Sequence, residues 1–152
     1  MLYFLDQTPF ASGCAAYEYR PAALDDTTPR IMIRVDIEGV VTGAFLDTGS
    51  PYMILNPEIA EALHIDIRGG LSQNRLLFRG NWLAGYLHRV NVRFIAEEGE
   101  NVTVEATVFI PDLLPGQEYG NFPSVIGMNA CLERLRFAVD PSQDTFYFGA
   151  LP

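Results

Sequence analysis

The stretch Phe45-Leu46-Asp47-Thr48-Gly49-Ser50 has residue types and spacing suited to chemistry. An aspartate at the end of an apolar strand is costly to bury unless its carboxylate is hydrogen-bonded. The next residues can supply such bonds: Thr48 and Ser50 carry hydroxyls, and Gly49 lets the main chain approach where a Cβ would obstruct. A carboxylate held in this way is suited to moving protons. Taken alone, Asp-Thr-Gly also reads as an ordinary turn after a strand. Other reactive residues are sparse. His64 and His88 stand apart and read as surface or internally satisfied residues. Cys14 and Cys131 form no C-x-x-C pair and read as buried or incidental thiols, Cys131 packed on a short helix.

The surrounding elements must position Asp47. Ile31, Ile33, Val35 and Ile37 alternate with Met32, Arg34, Asp36 and Glu38, the period-two pattern of a half-buried strand. Glu38-Gly39 turns the chain, and Val40 to Leu46 returns and runs straight into Asp47. Tyr52 to Leu55 is a second apolar strand, and Pro57 to Leu63 suits a short helix with Asn56 as its N-cap and Pro57 at its first position. Strand character follows around Arg75 to Phe78, Val90 to Phe94 and Val102 to Ile110. Pro111 to Pro123 reads as a loop. Ser124 to Gly127 reads as a buried strand, Met128 to Leu135 as a short helix, and Phe137 to Val139 and Thr145 to Gly149 as final strands. Many short strands with helices only as punctuation predict an all-β domain, a closed barrel or orthogonally packed sheets with one or two short helices. Residues 1–30, with Pro9, Pro21, Pro29 and no sustained periodicity, read as an N-terminal arm or lead-in, and residues 31–152 as the domain.

Together these segments resemble the retropepsin-like aspartic proteases, single-lobe relatives of pepsin. The hairpin Ile31 to Leu46, the Asp47-Thr48-Gly49-Ser50 loop and the strand after it match the family's first signature. Val125-Ile126-Gly127 followed by a short helix matches the second. Retroviral members carry an arginine just after that second glycine and an aspartate two residues past the catalytic glycine; here those positions are Met128 and Pro51. Both partners of that pair are replaced together, and the sequence looks closer to cellular and bacterial relatives.

The resemblance implies an aspartic endopeptidase whose active site needs two carboxylates. This chain carries one such motif, so the second Asp47 is expected from a second copy across a two-fold axis. By the same resemblance Thr48 locks the two loops together, and the Gly49 backbone helps hold the carboxylates coplanar. A β-hairpin flap is expected over the cleft. Its preferred tip is Arg79-Gly80-Asn81-Trp82, with Gly-Asn as the turn, and Gly69-Gly70 is the competitor. Trp82, the single tryptophan, reads first as a core residue and second as a cleft residue. Phe146-Tyr147-Phe148 reads either as a plain core strand or as part of a subunit interface.

Ten basic against nineteen acidic residues give a formal charge of −9, which argues against nucleic acid and anionic membranes as partners. The expected partners are a peptide or protein substrate and a second copy of the chain. No cofactor and no metal site is expected. The absence of a basic leader or a long apolar span points to a soluble cytoplasmic protein. An acidic pH optimum is expected on two grounds: the Ser50 hydroxyl would donate to Asp47, and partial protonation would ease repulsion between two acidic chains. The alternative reading is a non-catalytic dimerisation or peptide-binding domain that keeps the fold.

Overall fold

The computed structural model describes all residues from Met1 to Pro152. Its strands are β1 (Gly13–Ala16), β2 (Glu18–Pro21), β3 (Pro29–Ile37), β4 (Val40–Leu46), β5 (Met53–Ile54), β6 (Ser72–Phe78) and β7 (Asn81–Phe94). Then follow β8 (Glu98–Gly99), β9 (Val102–Pro111), β10 (Ser124–Ile126), β11 (Leu135–Asp140) and β12 (Thr145–Ala150), with one α-helix, α1 (Pro57–Ala62). The larger sheet runs β2-β3-β4-β10-β5-β9-β7-β6, and β3 also pairs with β7. That extra pairing, Val35 opposite Phe94 and Ile37 opposite Val92, closes β3, β4, β10, β5, β9 and β7 into a barrel. β2 and β6 extend the sheet outward on either side of the closure.

Period-two alternation divides the barrel strands between two cores. Ile33, Val35 and Ile37 of β3 meet Val90, Val92 and Phe94 of β7 and the Val102 to Ile110 series of β9 inside the barrel. The opposite faces supply Met32, Phe45, Ile54, Phe109 and Val125 to a second core, completed by Leu76, Leu83, Tyr119 and Phe122. Strands β5 and β10, with the C-terminal ends of β4 and β9, are therefore covered on both sides. This explains why Ser124-Val125-Ile126 is an unbroken buried run rather than an alternating one.

A second sheet, β11-β12-β1-β8, caps the barrel, with the Phe146 and Phe148 rings 6.2 and 5.9 Å from Phe94. The segment expected as an arm is woven into both sheets: β1 pairs with β12, and β2 with β3. Its prolines hide its periodicity, and its strands are only four residues each. The open choice for Phe146-Tyr147-Phe148 resolves toward the core. β12 has both edges occupied within the chain, by β11 and β1. The helix expected over Met128 to Leu135 is reduced to a turn and one 3-10 turn at Leu132–Arg134. Ala130 takes a positive φ of 51°, a left-handed conformation that breaks a right-handed helix near its start. No helix of the chain is long and apolar enough to cross a membrane.

Candidate active site

The carboxylate-bearing loop leaves β4 and enters β5, and it is braced from behind by β10. β4 and β10 run parallel, with Phe45 opposite Val125 and Leu46 opposite Ile126. The Asp47 amide continues this ladder by donating to the Ile126 carbonyl at 3.0 Å. Across the loop, Met128 N–H donates to Ser50 at 2.9 Å and Asn129 N–H to Pro51 at 2.7 Å. Gly127 lets the two segments touch, since a Cβ there would lie 2.1 Å from the Tyr52 carbonyl oxygen. Ile126 fills the barrel core directly beneath. Within the loop, Gly49 N–H donates to Asp47 Oδ1 at 3.0 Å, orienting the carboxylate, while Thr48 and Gly49 are exposed.

Ser50 behaves differently from expectation. Its hydroxyl is buried and donates to the Tyr52 carbonyl at 2.7 Å, so it closes the loop onto β5 and is not directed at Asp47. The turn geometry that brings Gly49 N–H to the carboxylate points the residue 50 side chain inward. The chemical ground for an acidic optimum therefore falls away, and only the charge ground remains.

Asp47 opens onto a cleft of about 550 Å³. Its floor is Phe45, Ile54, Phe122 and Val125, and its far wall is the β6–β7 hairpin. The hairpin turns at Arg79-Gly80, whose φ angles of 50° and 79° are those of a tight two-residue turn, with Phe78 paired to Asn81. The turn lies one residue earlier than the expected Gly80-Asn81. Gly69-Gly70, the competing tip, instead ends a 3-10 turn leading into β6. Arg79 and Trp82 line the cleft, whereas Gly80 and Asn81 lie outside its lining. Trp82 is 57% exposed and belongs to the cleft, not to the core. It occupies the outward face of an edge hairpin, which a lone aromatic in an apolar segment does not reveal.

Side chains fasten the hairpin to the body. Phe78 stacks on Tyr119 with centroids 5.0 Å apart and meets Phe122 edge-on at 5.6 Å. Arg79 lies 4.1 Å over the Phe122 ring and bonds Asp25 at 2.8 Å. The Arg79 guanidinium holds the Asp25 carboxyl below the usual carboxylate range. Arg30 bonds Asp26 at 3.1 Å and lies over Phe45. Burial opposes ionisation of Asp26, but Arg30 and two backbone amides outweigh it and its pKa falls. Tyr119 donates to the Pro123 carbonyl and is pushed well up by burial.

No protein-family profile and no curated protein sequence matches the chain. Solved structures do. A retropepsin-like aspartic protease from Rickettsia conorii superposes with a TM-score of 0.51 at 21% identity, covering 91% of this chain and 94% of that one. The fold is retropepsin-like. The retroviral protease-like domain of Ddi1 from Leishmania major aligns over 81% of this chain and 94% of its own, with 17% identity and a TM-score of 0.47.

Other chemistry is quiet. His88 Nε2 bonds the Ile67 carbonyl at 2.7 Å, and His64 closes α1 with a positive φ of 54°. Both cysteines are free and buried; burial pushes the Cys131 thiol up to about 12. Sequence reasoning missed Arg30, Arg75, Phe78 and Phe122 as cleft residues. They come from the segment read as an arm, from an edge strand and from a loop, and no local motif joins them. The faint signal was the i,i+4 pair Asp26 and Arg30 beside Asp25.

Proposed function

We propose that this chain is an aspartic endopeptidase that works as a homodimer, with one Asp47 from each copy. The observation that carries this reading is the Asp-Thr-Gly loop at the mouth of the cleft, where Asp47 is oriented by Gly49 and is the only acidic residue of the lining. One carboxylate cannot do the reaction by itself, and the exposed Thr48 and Gly49 leave the loop free to meet its copy. Two carboxylates brought into contact cannot both ionise, so the pair holds one proton. The ionised member takes a proton from water as the oxygen attacks the scissile carbonyl carbon. The protonated member gives its proton to the carbonyl oxygen. The tetrahedral intermediate then collapses, its C–N bond breaking as the amine nitrogen receives the proton first taken from water and the other carboxylate takes a proton back from a hydroxyl of the intermediate, which restores the singly protonated pair. No covalent enzyme intermediate forms. In this reading the β6–β7 hairpin is the flap, covering the peptide and excluding water.

The test is Asp47→Asn, alone and mixed with wild type. The variant retains the fold and loses peptide cleavage altogether. In excess it also suppresses wild-type turnover, because a mixed dimer has one ionisable carboxylate. Cleavage retained by pure Asp47→Asn removes the catalytic assignment; undiminished wild-type turnover in a mixture shown to exchange subunits removes the shared site.

A further inference from the structure

The cleft is charged against the grain of the molecule. The chain is formally −9 and all ten of its basic residues are arginines, yet three of those ten line this one cleft against a single carboxylate. Two of the three are already matched by the chain itself. Arg30 is held by Asp26 and Arg79 by Asp25, both from the segment between β2 and β3. Arg75 has no carboxylate partner. Its guanidinium lies 5.2 Å from the centroid of Trp82, in an exposed position on β6. The hairpin register pairs Leu77 with Trp82 and Arg75 with Ala84, so Arg75, Leu77 and Trp82 share one face. Leu77 and Trp82 are 59% and 57% exposed, an apolar pair left open beside an unmatched cation.

We propose that Arg75 is a specificity-determining residue that selects peptides carrying an aspartate or glutamate side chain, seated between Leu77 and Trp82. This rests on the endopeptidase reading for its substrate class. The carboxylate would complete Arg75 as Asp25 and Asp26 complete its neighbours, with the planar guanidinium pre-oriented by the indole. Arg75 lies on the hairpin wall and not on the Asp47 loop, so the selected acid sits away from the reacting carbonyl. In a two-fold dimer each copy presents one Arg75, and the preference falls at two positions, one on each side of the scissile bond.

The probe is a series of apolar decapeptides of Ala, Leu and Phe with one Glu walked along the chain, each paired with its Gln isostere. Cleavage rates are measured with wild type. Binding is measured with Asp47→Asn through the emission of Trp82, the sole tryptophan. Glu is expected to be favoured over Gln about tenfold at the selected positions, the effect of one charge-assisted bond in a partly exposed site. Arg75→Gln brings the Glu/Gln ratio to unity, and Arg75→Glu inverts it in favour of Lys peptides, a reversal that general loosening of the hairpin would not produce. Binding selectivity without cleavage leaves this inference standing and overturns the endopeptidase reading. Cleavage with no Glu preference at any position does the opposite. Equal responses to Glu and Gln peptides, including no response to either, or a preference that survives Arg75→Gln, overturn the role of Arg75.

Discussion

The two walls of the cleft are built by opposite means. The Asp47 loop is clamped by main-chain bonds to β10 and to the turn after it, with Gly127 against the Tyr52 backbone and the Ser50 hydroxyl bound to the Tyr52 carbonyl. The β6–β7 hairpin has a free edge, and its tip is held by side chains alone: one ion pair, one stacked and one edge-on ring pair, and one cation over a ring. Buried main-chain contacts have few alternative arrangements, because breaking them strands polar groups away from water. The ion pair at the tip is largely exposed and can be exchanged for water at little cost, and the ring contacts to the buried Tyr119 and Phe122 strand no polar group when they part. The difference teaches which wall can move. In the proposed endopeptidase, the carboxylate that meets its copy in fixed geometry sits on the main-chain-clamped wall, and the element that admits a peptide is the one tied by side chains.

The most severe way to break this contrast is Gly127→Ala. The new methyl would meet main-chain atoms of Tyr52 that no rotamer change can move. Stability is expected to fall by roughly 3 kcal/mol, the upper range for overpacking. Peptide cleavage should fall by about a hundredfold as Asp47 is displaced. Urea unfolding and initial rates check both. A loss below about 1 kcal/mol would mean that the rigid wall yields after all.

A smaller effect is expected from Ser50→Ala on the same wall. It leaves the part-buried Tyr52 carbonyl without its hydroxyl donor and should cost about 1 kcal/mol in thermal or urea unfolding. Because the hydroxyl is not bound to Asp47, the acidic limb of the pH–rate profile should stay in place. A displaced limb would show that Ser50 turns toward the carboxylate when the active dimer forms.

The smallest effect belongs to the loose wall. Arg79 lowers the Asp25 pKa, so their contact is fully present above the ordinary aspartate value of about 3.9. It is lost as the pH falls through the lower folded value. Acrylamide quenching of Trp82 should therefore rise in wild type as the pH drops below about 4. In Asp25→Asn quenching should already be raised at neutral pH and should lack that step, with global stability nearly unchanged. Identical quenching in the two proteins would place the hold on the hairpin in the Phe78 and Tyr119 stack alone.

Much of the rigid wall was legible in the residues. The alternation from Ile31 to Ile37, the turn at Glu38-Gly39, the Asp-Thr-Gly loop and the Val-Ile-Gly strand are local patterns, and each occurs where expected. The hairpin was legible to within one residue because a tight turn with two positive φ angles demands a glycine, which Gly80 supplies. The arm was misread because four-residue strands bounded by prolines carry no period of their own; they form by pairing with β3 and β12.

The sequence by itself determined an all-β chain with a glycine-bearing carboxylate loop and a second glycine strand to support it, because backbone sterics and hydrophobic period act within a few residues. Only the tertiary structure decided what that carboxylate faces. Arg30, Arg75, Phe78, Arg79, Trp82 and Phe122 lie far apart along the chain and become one cleft only when β3 closes on β7 and the hairpin folds over Phe122. The inward turn of the Ser50 hydroxyl and the exposure of Trp82 were decided in the same way. A side chain's partner depends on which strands become neighbours, and barrel closure between residues distant in sequence settles that.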